Sequence, residues 1–370
     1  PYERLDYGRG FAATDTDEYL AINPAVLFGA LFVDRVGPIR AMQFCAISGV
    51  LALLAIASGA FWLLPLAALC AGLGYAPPNP ASSPLLLELA PPAKRSSIFS
   101  LKQVSVPLGG AISGFLLPPL AAIVGWQGAL LVLALVGFSI ALAIAPWHKP
   151  FDTVAESAAN GTTGATSPHR AFASLLKSPR LRAIGAMCFG FAALQYTFSS
   201  VFVVFLVTRA KLDVVDAGAL LGLGLFVSIF MRVIWGLLAD RLGDAAVLLI
   251  LAFVMAGAAF TSVIVTAQWS YSALAALAVV FAGAAYSWNG VFLASVATVA
   301  GPKRIADATS STMSLVFAGG LIGPLIYSAV VWATGDVGLG FGVLGLLALT
   351  VRAWVSWVLW RGSATSDHRS

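Results

Sequence analysis

Five stretches of this chain carry no Asp, Glu, Lys or Arg: 41–87, 103–147, 183–208, 245–302 and 308–335. A helix needs about 20 apolar residues to cross the hydrocarbon layer of a membrane, so the longer stretches hold two crossings each. Only 10% of the 370 residues are charged and 59% are hydrophobic, against about 25% charged in an ordinary soluble domain. Mean hydropathy is +0.92. Gly at 36 and Pro at 19 fit membrane helices, which tolerate both. A water-soluble core is excluded; the fold class is an all-α polytopic membrane protein.

Hydropathy places eleven spans, near 20–33, 41–60, 63–87, 98–123, 127–147, 183–207, 215–239, 245–267, 271–298, 307–333 and 338–360. Between the fifth and sixth lies a polar stretch, 148–182, rich in Ser, Thr, Ala, Asn and Gly, a composition that reads as a flexible linker. The chain therefore divides into a polar segment 1–19, a helical bundle 20–147, the linker 148–182, a second bundle 183–361 and a tail 362–370. Asp15, Asp17 and Glu18 make the first segment acidic, which is not the basic-then-apolar pattern of a signal peptide. The chain opens on Pro1 rather than Met, and the expectation is that its start is missing.

Lys and Arg orient the spans, because they collect on the cytoplasmic side. One set of connections carries Arg35, Arg40, Lys94, Arg95, the basic linker, Arg241, Lys303 and Arg304; the alternate set carries only Arg209 and Lys211. The linker and the C-terminus are expected in the cytoplasm, with the protein in the cell (inner) membrane.

Several function classes fall away. Cys45, Cys70 and Cys188 lie singly within apolar runs, which suits small apolar filler rather than a disulfide framework or a zinc site. Basic residues are dispersed, so the net charge of +5 is no nucleic-acid footprint. The chain has no HExxH, no phosphate-binding GxxxxGK[ST] and no Ser/His/Asp set, leaving no residues for ATP-driven or hydrolytic chemistry. Neither an enzyme nor a cofactor is expected, and no metal site.

Comparing the chain with itself reveals a repeat. At an offset of 210, Asn79 meets Asn289, Pro92 meets Pro302, Ser100 meets Ser310, the pair Gly109-Gly110 meets Gly319-Gly320, and Gly125 meets Gly335. At an offset of 206, residues 30–37 (Ala-Leu-Phe-Val-Asp-Arg-Val-Gly) meet residues 236–243 (Gly-Leu-Leu-Ala-Asp-Arg-Leu-Gly). Each copy puts an acid, a base and a turn-forming Gly where a helix reaches the cytoplasm. The acid can pair with Arg groups or with a neighbouring helix N-terminus. Parallel halves of this kind are a transporter architecture, with the solute held near the midplane between them.

Residues 236–243 resemble the loop signature of the major facilitator superfamily. Val106 to Gly110, Trp288-Asn289-Gly290, and Gly319 to Pro324 are similar to that family's Gly/Pro patterns, and the resemblance runs from about 24 to 361. It implies the major facilitator fold of bacterial type: two pseudo-symmetric six-helix bundles, here with the first helix missing. It further implies secondary active transport of a small solute by alternating access, as a monomer in the lipid bilayer. Asp34, Arg35, Gly37, Gly236, Asp240, Arg241 and Gly243 would gate the cytoplasmic side.

Ionisable groups at membrane depth are costly and so are functional candidates. Arg232 precedes Asp240 by two helical turns, about 12 Å at 1.5 Å per residue, and its planar fork suits an anion. Lys102 either lines the cavity or snorkels to the cytoplasm. Glu88 is placed to pair with Arg95 or Lys102. Uncharged candidates are Gln195, Tyr196, Tyr75, Asn79, Trp288 and Asn289. No carboxylate falls in mid-span, so a coupling proton is left open. The leading expectation is a carrier of a small organic or inorganic anion. The alternatives are an efflux carrier for apolar drugs, a non-transporting membrane receptor or structural protein with a carrier fold, and a non-functional fragment.

Overall fold

The computed structural model describes residues 32, 36–75, 77–147, 175–301 and 304–349. Nearly all of the expected first span, most of the 148–182 linker, the end of the last span and both terminal segments lie outside the described residues. Among those described there is no strand. The helices are α1 (Pro38–Ala57), α2 (Leu64–Tyr75), α3 (Pro78–Leu89), α4 (Arg95–Gln103), α5 (Ser105–Ala143), α6 (Pro179–Arg209), α7 (Val214–Leu242), α8 (Asp244–Ile264), α9 (Tyr271–Ala285), α10 (Trp288–Ala300) and α11 (Ile305–Thr334). A last one, α12, covers Val337–Leu349. Among the described residues, seven helical stretches are long and apolar enough to cross a membrane, α9 and α10 counting together as one.

Local chemistry sets the ends. The Ser178 hydroxyl accepts from Leu181 N at 3.3 Å, ahead of Pro179 in the first turn of α6. Asp213 caps α7 through Val215 N at 2.8 Å, and Ser270 caps α9 through Ala273 N at 3.3 Å. These side chains satisfy amides that the helix itself leaves without partners.

The repeat is visible in the backbone. Gly37 and Gly243, 206 apart, have φ of 81° and 89° and start α1 and α8. Gly125 and Gly335, 210 apart, have φ of 75° and 71°; the first bends α5 and the second ends α11. Only Gly enters that region without strain. Helix starts keep the same register: Pro78 with Trp288, and Arg95 with Ile305, again 210 apart.

The 98–123 span is divided by a turn at Val104 into α4 and the start of α5, and two more spans that hydropathy reads as continuous are broken. The 63–87 span parts before α3, where Pro77 precedes and Pro78 opens the new helix; neither proline has an N–H with which to continue a preceding ladder. The 271–298 span parts at Tyr286 and Ser287. Ser287 donates back to the Gly283 carbonyl at 2.5 Å, a bond that bends helices. Broken helices at depth persist where they are enclosed by protein or line a cavity.

The halves meet through α3, α4 and the start of α5 on one side and α7, α10 and α11 on the other. The repeat exchanges α3 with α10 and α4 with α11, so the packing of α3 on α11 has its mate in that of α10 on α4. This is the signature of a pseudo-twofold relation. Within the second half α6 and α11 approach most closely: a Cβ added at Gly323 would lie 2.5 Å from the Ala193 carbonyl oxygen. Small residues give membrane helices their contact, since lipid removes the hydrophobic driving force. Leu135, Phe230, Ile264 and Trp332 are exposed, as a surface bathed in acyl chains allows.

Candidate functional site

The breaks before Pro78 and at Tyr286, with α4, α6, α7 and α11, gather a polar cluster. Asn79 and Asn289 are each the second residue of a helix that follows a break. Asn79 Oδ1 accepts from Lys102 Nζ at 2.5 Å, and its Nδ2 faces Met313 Sδ at 3.9 Å. Asn289 Nδ2 donates to Gln195 Oε1 at 3.2 Å. Tyr286 and Ser199 share a hydrogen bond between their hydroxyls. Lys102 thus turns inward; its snorkelling alternative is not the geometry adopted.

Arg232 is the centre of the cluster. It is 1% exposed. One terminal nitrogen donates to the Gln103 carbonyl, where α4 gives way to α5, and Nε has no hydrogen-bond partner among the described residues. The phenols of Tyr75 and Tyr286 lie within electrostatic reach of the guanidinium, and so does the Lys102 ammonium. The described acids, Glu88, Asp213, Asp216, Asp240, Asp244, Asp307 and Asp336, all stand at helix ends. The cluster therefore holds two basic side chains, Lys102 bonded to the Asn79 amide oxygen and Arg232 to the Gln103 carbonyl, both neutral acceptors. Glu88 has no ion pair among the described residues; the pair expected with Arg95 or Lys102 is not made.

Aromatic side chains wall the cluster. The rings of Tyr75 and Phe317 meet edge-on at 5.8 Å. Tyr196 is half-buried against Gly320, where a Cβ would come within 2.5 Å of the ring. Trp288 is fully buried, with Phe191 and Phe292 each 5.7 Å away. It belongs to the packing behind the cluster rather than to an open wall.

A second site lies at the basic end, which carries Lys94, Arg95, Arg241 and Arg304. The Asp240 carboxylate takes both first-turn amides of α4, Ser96 N at 2.8 Å and Ser97 N at 3.1 Å. Asp244 Oδ1 accepts from the Ser96 hydroxyl at 2.5 Å. An acid on a helix N-terminus gains from the dipole and from otherwise unpaired amides. Behind this latch Ser100 is fully buried between Gly236 of α7 and Gly290 of α10. A Cβ at Gly236 would lie 2.6 Å from Ser100 Cβ, and one at Gly290 would overlap the Ser100 backbone. Arg241 is exposed. A cavity of about 270 Å³ opens beside the latch, lined by Pro84, Leu87, Glu88, Arg95, Thr298 and Gly301 among others. Asp34 and Arg35 lie outside the described residues.

At the opposite end Arg209 spends all three nitrogens: on Asp336 at 2.9 Å, on the Val263 carbonyl at 2.9 Å and on the Val265 carbonyl at 2.9 Å. Asp336 also accepts from the amides of Gly338 at 2.7 Å and Leu339 at 3.2 Å. The ends of α6, α8 and α12 are thereby clasped together.

Sequence reasoning passed over Tyr286, Ser199, Ser96, Ser97 and Asp244. The 210 offset carried a signal for the first: it maps the break before Pro78 onto Tyr286 and Ser287. The serines of α4 carried none, since a helix start in a short loop advertises no partner.

Broken helices around a polar core, with the two halves in parallel repeat, define a membrane carrier. The sequence profile of the Major Facilitator Superfamily matches residues 19–324, and the chain belongs to that family. It is a transporter, not an enzyme. Among solved structures it is similar to the Escherichia coli fucose:proton symporter FucP, with a TM-score of 0.73 and 13% identity over 95% of this chain and 91% of that one. It is also similar to the human organic anion transporter MFSD10 (TETRAN), at 0.69 and 17% over 94% and 83%. FucP in the outward conformation gives 0.69 and 13% over 96% and 91%. These likenesses are of fold. Comparison with curated proteins finds no match.

Proposed function

We propose that this protein is a secondary transporter of a small organic or inorganic anion that works by alternating access. The observation that carries the reading is the pair of inward basic side chains, Arg232 and Lys102, with no carboxylate beside them among the described residues. A charge enclosed at low dielectric needs a counter-charge, and a solute anion supplies it. The forked guanidinium takes a carboxylate or a planar oxyanion in two parallel bonds. Asn79, Gln195, Asn289, Tyr75 and Tyr196 offer donors and ring faces around it, and Trp288 backs them. One fold relative is named an organic anion transporter and another a fucose:proton symporter, so the fold has precedent for both solute kinds.

The bundles 20–147 and 183–361 rock about this cluster, joined by the 148–182 linker. The basic end is the cytoplasmic one by its Lys and Arg, which puts the C-terminus in the cytoplasm of an inner-membrane protein. Asp240, with Gly236, Arg241 and Gly243, holds that side shut, and Asp34, Arg35 and Gly37 form the related element of the first half. The closed latch supports an outward-facing state. The protein works as a monomer.

The test is counterflow in proteoliposomes, with radiolabelled pyruvate, succinate and nitrate against neutral sugars and an apolar cation. Saturable exchange of an anion that disappears in Arg232→Ala upholds the reading. Saturation by the apolar cation with no anion exchange replaces it with drug efflux.

A further inference from the structure

We propose that the solute anion and the Gln103 main-chain carbonyl compete for Arg232, so that binding the solute unfastens the inner end of the seam between the two halves. The inference rests on the anion reading above and adds how occupancy of that site reaches the halves.

Pro107 is what leaves the carbonyl in need of a donor. In an α-helix a carbonyl accepts from the amide four residues on. The backbone keeps that register through the turn at Val104, which has φ of −57° and ψ of −26°, and Leu108 N donates to the Val104 carbonyl at 3.0 Å. The donor due to Gln103 is therefore residue 107, and a proline has no N–H. The preceding carbonyl, that of Lys102, takes the Ser105 hydroxyl at 2.9 Å; that of Gln103 takes a terminal nitrogen of Arg232. A buried carbonyl left without a partner is costly, and this partner comes from the other half of the molecule. The second half needs no such repair. At the 210 offset Phe317 stands where Pro107 does, and α11 runs unbroken past Met313, the counterpart of Gln103. The 206 counterpart of Arg232 is Val26. The proline and the arginine are both departures from the repeat, and they serve one bond.

α4 lies antiparallel on α7, and three contacts mark the seam from the basic end inward. Asp240 holds the amides of Ser96 and Ser97. Ser100 packs against Gly236. Arg232 holds the Gln103 carbonyl. The seam has to part for the basic end to open, and the third contact is its inner fastening. Arg232 is 1% exposed and Gln103 6%. A guanidinium so enclosed presents no edge to a solute while it sits on the carbonyl. A forked contact with an anion takes two of its N–H groups, so the side chain has to leave its seat. The exchange favours release, because a guanidinium bonds an oxyanion more strongly than a neutral carbonyl. The Gln103 carbonyl then turns to water as the seam opens. An empty carrier, by contrast, keeps α4 on α7.

Pro107→Ala tests this, because it gives the Gln103 carbonyl an amide of its own and leaves Arg232 in place. Pro107→Val does the same with more of the proline's volume, which matters because Pro107 is buried. Spin labels at Leu89→Cys and Leu242→Cys, in the full chain with its native cysteines replaced, read the seam in detergent. Equilibrium binding of radiolabelled pyruvate or succinate is measured on the same protein. A bond to a charged group, at the weak end of its range, is about tenfold in the ratio of closed to open carriers. If the empty wild type is about nine-tenths closed, the variants should be about half open with no solute present, and the Kd should fall about fivefold as the competent fraction grows. Saturating pyruvate or succinate should move the wild-type distances from short to long, whereas Arg232→Ala should give long distances that neither anion changes. Unchanged distances in correctly inserted Pro107→Ala and Pro107→Val overturn the proposal. So does a Kd that fails to fall, which would make the carbonyl a support that aims Arg232 at the solute rather than its competitor. Where neither variant inserts, the wild type decides: distances that do not respond to an anion it exchanges in counterflow overturn the proposal as well. Absence of counterflow for every anion in the wild type is a separate result. It removes the anion reading, and the solute's part here with it, while the empty-carrier distances still judge whether the bond holds the seam.

Discussion

Asp240→Asn is the sharpest perturbation of the latch. The carboxylate holds two amides of α4, at 2.8 and 3.1 Å. An Asn in its place keeps one carbonyl acceptor, so one amide loses its partner and the charge facing the helix N-terminus is gone. A hydrogen bond to a charged group contributes about 1.5–3 kcal/mol, and an acid at an N-terminus about 0.3–1 kcal/mol. Asp240 is only half-buried, so the low end applies. The closed basic end should weaken by about 2 kcal/mol, which is about thirtyfold in the ratio of closed to open carriers. Spin labels at Leu89→Cys and Leu242→Cys report that ratio by pulsed dipolar spectroscopy, with the three native cysteines replaced by Ser. Both leucines are exposed, at the ends of α3 and α7 in opposite halves. The long-distance population should grow from minor to dominant if the wild type is about nine-tenths closed. Identical distance distributions in a correctly inserted Asp240→Asn protein would refute the assignment of this contact as what holds the halves shut.

Other expectations follow from the same geometry. Ser96→Ala removes only the bond to Asp244 and should shift the same distributions less than Asp240→Asn, by about 1 kcal/mol. Arg232→Lys should fail to restore anion counterflow, because a single ammonium cannot make the forked contact; wild-type Km in that variant would contradict the bidentate role. Gly290→Ala places a methyl against the Ser100 backbone, so the labelled ends should separate even with Asp240 intact. Arg209→Gln loses the pair with Asp336 and weakens the bonds to two carbonyls, and should lower thermal stability in detergent by about 1–2 kcal/mol, the charge-assisted bonds being discounted for a pair 31% and 26% exposed. It should leave the label distances unchanged, since α6, α8 and α12 belong to one half.

How far the sequence foretold all this depends on what hydropathy can register. Spans expected at 215–239 and 307–333 are found as Val214–Leu242 and Ile305–Thr334, because charged residues bracket them. The breaks before Pro78 and at Tyr286 escaped, since the apolar run continues across both and only backbone geometry changes. The 210 repeat was legible and reappears in helix starts and in the φ angles of Gly125 and Gly335. Arg232 stood out by rarity alone. The direction of Lys102 could not be read, because a long stem reaches either way and its choice depends on Asn79, which is 23 residues earlier and on a different helix. Tyr286 escaped for the opposite reason: a hydroxyl amid Ala and Gly looks like filler until α6 brings Ser199 to it.

At Ser100, where α4 lies between Gly236 of α7 and Gly290 of α10, only a serine side chain separates the backbones. Such a joint parts without teeth having to disengage and re-seats without searching for a rotamer. The work of opening then falls on a few polar contacts at the rim, and the speed of the cycle becomes adjustable one hydrogen bond at a time.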